Sequence, residues 1–471
     1  MKYDYDLICI GLGPAGMAVS LMAVEMGLTV CAIEKDRLGG ECMNVGCIPS
    51  KSLLRMAKAA HTVRRLERME LGPLPEPAPK RPFERIRGYC DFIGEKKTRG
   101  MFEKVDLILG EGAARFVDPH TVAVGDRRVT ARRIFIATGT EPMVPPIPGL
   151  ADVDTITNVN LFDQETVPAS LLVLGGGAIG CEMAQAFARL GSAVTMVHMD
   201  PHLIPAGEAD AGELLEQVFA EEGIRVFNGR KLVKAERAGA GVVLHTDRGE
   251  RLEGERLLVA AGRRIPTGGL DLERAGVALT PRGAIHVDRY LRTTQKHIYA
   301  VGDVNGHFLL SHAAMHQGMI ALMNSMLPGP MKRDFRRYVV PWTVFTDPPA
   351  SHVGELARQL DARGAKYETI EVKYGDYGAA IAEDCATGWL KVYASRGGRV
   401  YGVRIVGEGS GEMINEWALA IQNKVPLHKV MMVQHSFPTM GFLSKRVAET
   451  WMIGRMASPW LKRACRLFYR R

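Results

Sequence analysis

Cys42 and Cys47 stand five positions apart in the stretch GGECMNVGCIPSK, residues 39 to 51. Thiols this close can form a structural bridge, part of a metal site or a redox couple. In a regular helix, residues five apart sit about 8 to 9 Å apart at Cα, beyond the roughly 7 Å a disulfide spans. A bridge therefore requires locally distorted backbone, which Gly46 and Pro49 permit, and a strained bridge is readily reduced. Closing so short a loop removes little entropy from the unfolded chain. No second Cys or His pair lies at ligand spacing, so no metal ligands are assigned. A reversible redox couple is the chemistry that fits.

Such a couple needs an electron source, and the flanking elements supply one. YDLICIGLGPAG is a short apolar strand followed by Gly11, Gly13 and Gly16 and then by a helical run. The first glycine allows the tight turn, the second admits a pyrophosphate, and the third lets helix pack on strand. Glu34 closes the next strand, LTVCAIE, where a carboxylate can accept from ribose hydroxyls. The pattern returns in LLVLGGGAIGCEMAQAF with Gly175, Gly177 and Gly180, so the chain is expected to bind two dinucleotides. The offset from Gly16 to Glu34, applied to Gly180, places His198 at the second ribose-reading position. A protonated histidine there would attract a 2′-phosphate, which leans the reading to NADPH over NADH. Asp200, two residues on, could restore the acidic preference.

Hydrophobic residues make up 46% and charged residues 24% of the 471 residues, ordinary for a globular protein with a large core. No run approaches the roughly 20 apolar residues needed to span a bilayer, and the N-terminus lacks a basic leader. The expected location is the cytoplasm. Scattered cysteines, with Cys9 and Cys31 inside apolar strands, read as buried thiols in a reducing compartment. The net charge of +8 would suggest nucleic acid. However, Arg455, Lys462, Arg463, Arg466, Arg470 and Arg471 carry most of it in a tail without acids, so no nucleic-acid face is expected.

GGECMNVGCIPSK resembles the redox-active segment of the flavoprotein disulfide reductases, the class I pyridine nucleotide-disulfide oxidoreductases that include dihydrolipoamide dehydrogenase, glutathione reductase and mercuric reductase. The likeness runs over essentially the whole chain. It implies FAD at the first glycine fingerprint and a pyridine nucleotide at GGGAIGCE. It also matches HIYAVGDVNG, with Gly302 and with Asp303 on the ribityl chain, to the second FAD motif, and ATGTEP, with Gly139, and AAGRRIP, with Gly262, to the interdomain links. FTDPPASHVGE resembles the opening of the family's dimerisation domain, worded most like the mercuric reductase branch. By this resemblance Cys47 faces the flavin, Cys42 attacks the substrate, and Lys51 stands beside the flavin with Glu182 as its ion-pair partner.

The chain departs from the family at its C-terminus. Disulfide-reducing members carry His-Pro-Thr, whose histidine enters the partner subunit's site to protonate a leaving thiolate, with a glutamate five residues on. QHSFPTMGF places Phe437 and Phe442 at those positions, and His435, two residues upstream, reads as structural. Acceptors that leave no thiolate become more plausible: a soft metal ion, a quinone or another small electron acceptor. The adjacent cysteine pair of mercuric reductase is absent, and Cys465 is the only thiol of the tail.

The tail SPWLKRACRLFYRR opens with Ser458 as N-cap and Pro459 at the first helical position. Trp460, Leu461, Ala464, Leu467 and Phe468 share one stripe, and Lys462, Arg466 and Arg470 another. Such a helix can lie on an anionic membrane or pack on its own dimer. Residues 71 to 82 are a proline-rich connector, and His312 falls near the flavin-facing helix.

The expected fold is α/β: two Rossmann-like dinucleotide domains and a C-terminal α+β dimerisation domain in a homodimer. FAD would take residues 1–150 and 270–338, NAD(P) residues 151–269, the interface 339–455, and the basic amphipathic tail 456–471. The expected function is an FAD-dependent NAD(P)H oxidoreductase passing electrons through Cys42 and Cys47 to a disulfide or soft metal. The alternatives are a membrane-associated quinone-reducing flavoprotein and a non-catalytic flavoprotein that binds a membrane or partner.

Overall fold

The structure, a computed structural model, describes residues 2–72, 77, 81–456 and 458–470. Much of the proline-rich connector, and Arg471, lie outside the described residues. The chain forms two compact units, Met1–Gly175 with Ala186–Val194 and Leu232–Arg337, and Gly176–Gln185 with Thr195–Lys231 and Tyr338–Arg471.

The first unit is organised by a sheet in which Asp106–Leu109, Val30–Glu34, Tyr5–Ile10 and the second half of Arg127–Ile136 run parallel, with Ile298–Ala300 added beside the last. Leu7 to Ile10 are all buried, as expected of a parallel strand covered on both faces, which reads as an unbroken apolar run rather than an alternating one. Ile8, Ile10, Ile33, Ile134, Ile136 and Ile298 make one core with Phe116. Each such side chain contributes about 1.5 to 3 kcal/mol by leaving water. Helix Pro14–Glu25 starts with proline at its first position and buries Ala15, Gly16, Val19, Ser20 and Ala23, a 3- and 4-spaced face that seats it on the sheet. The same unit holds Ser170–Leu174 in parallel with Arg256–Val259 and a three-stranded meander from Leu232 to Gly254.

In the second unit Thr195 to Val197 pair in parallel with Arg225–Phe227. Trp342–Val344, Ala350–Gly354, Val400–Val406, Trp389–Ala394 and Glu368–Lys373 form an antiparallel sheet in that spatial order. Its core contains Trp417, Tyr374, Leu390, Val403 and Ile405. The α/β class and the α+β character of the C-terminal segment agree with the sequence reading. Among the described residues no helix is long and apolar enough to cross a membrane.

Candidate active site

The cysteine segment does not run as one helix. Helix Gly40–Asn44 ends before Val45 and Gly46, and a second helix, Cys47–Arg65, begins at Cys47. Gly46 folds the chain back so tightly that a Cβ there would stand 2.8 Å from the Glu41 carbonyl oxygen. Pro49 falls in the first turn of the second helix, where its missing N–H costs no hydrogen bond. The Asn44 amide donates to the Leu38 and Gly40 carbonyls at 2.9 and 2.8 Å and fixes the first helix. The break, and not a stretched helix, is what brings the thiols together.

Both cysteines are thiols here, and they are unequal. A hydrogen bond from Cys42 lowers the Cys47 pKa to about 6, helped by Ser311 and the charge of Lys51 against the opposing effect of burial. The same bond raises that of Cys42, and burial adds to it. Ser311 Oγ stands 3.2 Å from Cys47 Sγ, at the first position of helix Ser311–Met326. Cys9 and Cys31, by contrast, are pushed up to about 12 by burial. The pair thus holds one proton, on Cys42, and one negative charge, on Cys47.

Beside the pair lies a polar network missing from the sequence reading. Arg263 forms an ion pair with Glu41. Its Nε donates to Thr140 Oγ1 at 2.6 Å and its Nη2 to the Thr140 carbonyl at 2.9 Å. Thr140 Oγ1 in turn donates to Asp303 Oδ2 at 3.0 Å, and burial raises the Asp303 pKa. Gln317 accepts from the Gly302 N–H at 2.8 Å and from Asn305 Nδ2 at 2.6 Å. The motifs carrying Gly139, Gly262 and Asp303 were legible, but not that Arg263 ties two of them to the residue before Cys42.

The first fingerprint has the form of a pyrophosphate cradle. A Cβ on Gly16 would lie 1.9 Å from the Gly11 carbonyl oxygen, and Gly11 itself has φ +91°, so neither accepts a side chain. A Cβ on Gly13 would meet nothing within 4 Å, leaving space in front of the helix N-terminus where a phosphate is held by backbone N–H groups. Beside it the buried Thr138 Oγ1 has no partner among the described residues. Glu34 is buried, accepting from the Leu12 N–H at 2.8 Å and the Asp36 N–H at 3.0 Å. These residues fit the diphosphate and ribose of a bound dinucleotide.

The second fingerprint repeats the first. Gly175 has φ +116° and Gly177 opens on space, while Gly180 is buried in its helix. His198 Nδ1 accepts from the Gly176 N–H at 3.0 Å, the bond that Glu34 makes to Leu12 in the first fold. A ring nitrogen can accept only when unprotonated, and burial lowers the His198 pKa, against the opposing influence of Asp200. The protonated histidine expected from the sequence is therefore a neutral one. Asp200 Oδ2 lies 3.4 Å from His198 Nε2 and is half-exposed.

Glu182 is buried, not solvated, and accepts from the Phe345 N–H at 2.9 Å. At the C-terminus Phe437 and Phe442 meet edge to face at 5.4 Å, and Tyr377 stacks on Phe442 at 6.1 Å. An aromatic cluster occupies the segment where the family places an acid-base pair, and Phe437 is 71% exposed. Both ring nitrogens of His435 are engaged, with Glu416 Oε1 at 2.8 Å and the Val433 carbonyl at 3.2 Å, as suits a structural residue.

Comparison with known proteins agrees with this geometry. The pyridine nucleotide-disulphide oxidoreductase family profile matches residues 5–318, and the profile of that family's dimerisation domain matches residues 340–445. The chain is 34% identical to a dihydrolipoyl dehydrogenase of Thermus scotoductus, covering 93% of this chain and 95% of the relative. It is 32% identical to a mercuric reductase of Streptomyces lividans, covering 95% and 96%. The Cu(II) complex of the HOCl-induced flavoprotein disulfide reductase RclA from Escherichia coli superposes with a TM-score of 0.85 at 26% identity, over 95% of this chain and 99% of that one. The chain therefore belongs to the pyridine nucleotide-disulphide oxidoreductases, enzymes that use FAD and a pyridine nucleotide, and it carries the family's dimerisation domain.

Proposed function

We propose that the protein oxidises NADH through FAD and the Cys42–Cys47 pair and delivers the electrons to a thiophilic metal ion such as Cu(II) or Hg(II). The observation that carries this reading is the aromatic contact of Phe437 with Phe442 in the segment where the family places its acid-base pair. FAD, when bound, would supply the two-electron link between the nicotinamide's hydride and the disulfide. Two electrons break the S–S bond, and the hydride's one proton remains on Cys42 while Cys47 stays a thiolate, the state favoured by the pKa shifts. A metal ion then displaces the Cys42 proton, binds sulfur and takes the electrons back. The disulfide re-forms as one Hg(II) becomes Hg(0), or two Cu(II) become two Cu(I), with release of H⁺. No thiolate leaves the acceptor, so none needs a proton, which accords with Phe437 in place of the family's acid. The names of the relatives, a mercuric reductase and a Cu(II) complex, support the same class.

In this reading residues 1–150 and 270–338 hold FAD. Gly11, Gly13 and Gly16 take the pyrophosphate, Glu34 the ribose, and Gly139, Gly302 and Asp303 the ribityl side. Lys51 stabilises the anionic flavin and the Cys47 thiolate. Residues 151–269 hold the nicotinamide coenzyme through Gly175, Gly177, Gly180 and His198, with Gly262 at the return link. Residues 339–455 form a homodimer interface. NADH is preferred because a neutral His198 offers a 2′-phosphate no charge, and the Asp200 carboxylate repels one.

The test is anaerobic turnover of the FAD-loaded protein with each coenzyme against Cu(II), Hg(II), lipoamide, glutathione disulfide and a soluble quinone. Metal reduction that prefers NADH and is lost in Cys42→Ser and Cys47→Ser is expected. Faster turnover of either disulfide would overturn the metal assignment, and faster turnover with NADPH the coenzyme. Quinone reduction that outpaces the metals and persists without the thiols would favour direct transfer from the flavin.

A further inference from the structure

Helix Pro459–Tyr469 contains no buried residue. Trp460, Leu467 and Phe468 are 76%, 65% and 72% exposed. At 100° per residue, Trp460, Leu461, Ala464, Leu467 and Phe468 fall in one arc of about 120°, while Lys462, Arg463, Arg466 and Arg470 fall in an opposing arc of about 100°. No acidic residue follows Glu449. Arg455, just upstream, is engaged in structure: it donates to Glu368 and to the Arg396 carbonyl, both at 2.9 Å, and lies 4.0 Å from the Trp451 ring centre. The four basic residues of the helix and the aromatic arc beside them are left facing water.

We propose that this helix docks the protein on an anionic lipid surface. It would lie in the plane of the interface, with Trp460, Leu467 and Phe468 among the acyl chains and the basic arc on the lipid phosphates. Charge complementarity selects this occupant. A second copy packed on the apolar arc would leave the opposing basic arcs without a counter-charge, and a nucleic acid would take the charges but leave the aromatic arc in water. An anionic bilayer satisfies both arcs at once. Three turns and a few apolar side chains make the attachment reversible. The inference is independent of which acceptor the active site uses.

The experiment is co-sedimentation of the full-length, FAD-loaded protein with vesicles rich in phosphatidylglycerol and with vesicles of phosphatidylcholine alone. Binding to the anionic vesicles that weakens as salt is raised is expected. Each basic residue at the surface is worth about fivefold, so Arg463→Gln with Arg466→Gln lowers the partition about 30-fold. Trp460→Ser with Phe468→Ser abolishes it, while FAD content, dimer formation and NADH-dependent dye reduction stay unchanged. Equal binding to both vesicle types, or binding to neither, overturns the proposal. So does equally strong binding of the Trp460→Ser, Phe468→Ser protein to duplex DNA. A chain ending at residue 457 that loses its dimer would instead assign the apolar arc to the second copy.

Discussion

Replacing Cys42 by alanine in the reduced, FAD-loaded protein removes the hydrogen bond that contributes most to lowering the Cys47 pKa. With that pKa at about 6, about nine-tenths of Cys47 is thiolate at pH 7, against about one part in thirty for an unperturbed thiol. A hydrogen bond to a charged group is worth about 1.5 to 3 kcal/mol, and one pKa unit is 1.36 kcal/mol, so the alanine variant titrates about one to two units higher. Its thiolate fraction at pH 7 then falls to between about one-half and one-tenth. Ser311 and Lys51 remain, which keeps the shift below the full difference from a free thiol. Cys42→Ser retains a donor and should shift less than alanine. The assay is a pH titration of thiolate absorbance under anaerobic conditions, with the long-wavelength thiolate-to-flavin band as a second readout. A midpoint unchanged in the alanine variant would refute the idea that the two sulfurs share one proton.

Phe437→His combined with Phe442→Glu restores the family's acid and its orienting carboxylate, and should raise lipoamide or glutathione disulfide turnover by about 10² or more, measured at constant FAD content. No gain in a folded dimer would mean that the missing acid is not what limits disulfide reduction. Gly46→Ala forces a Cβ to within 2.8 Å of the Glu41 carbonyl and should cost about 1 to 3 kcal/mol by denaturant unfolding, with loss of the thiolate-to-flavin band. Burial holds His352 neutral, with a pKa of about 4, against about 6.5 in the unfolded chain. Between those values the unfolded chain binds more protons, so stability falls as pH drops through that window. His352→Gln should flatten this limb in unfolding curves recorded at pH 7.5 and pH 5. An unaltered slope would assign acid sensitivity elsewhere.

The sequence by itself determined the covalent chemistry and the cradles. Cys42 and Cys47, the paired fingerprints at Gly11 and Gly175, the Gly302–Asp303 motif and the exchange of His and Glu for Phe437 and Phe442 are local patterns, readable because backbone turns and reactive groups are fixed by neighbouring residues. Tertiary structure decided what those groups do electrically. That Cys47 and not Cys42 carries the charge depends chiefly on the hydrogen bond that the helix break lets the two sulfurs make, and Ser311, 264 positions away, helps to lower the Cys47 pKa. The role of Glu41 depends on Arg263, and the neutrality of His198 on burial against the Gly176 N–H. Spacing along the chain could not supply these, because a pKa is set by the distance and desolvation of neighbours brought together by folding. The helix break at Gly46 shows the same limit: the permissive residue was visible, but the close approach that requires it exists only in the folded chain.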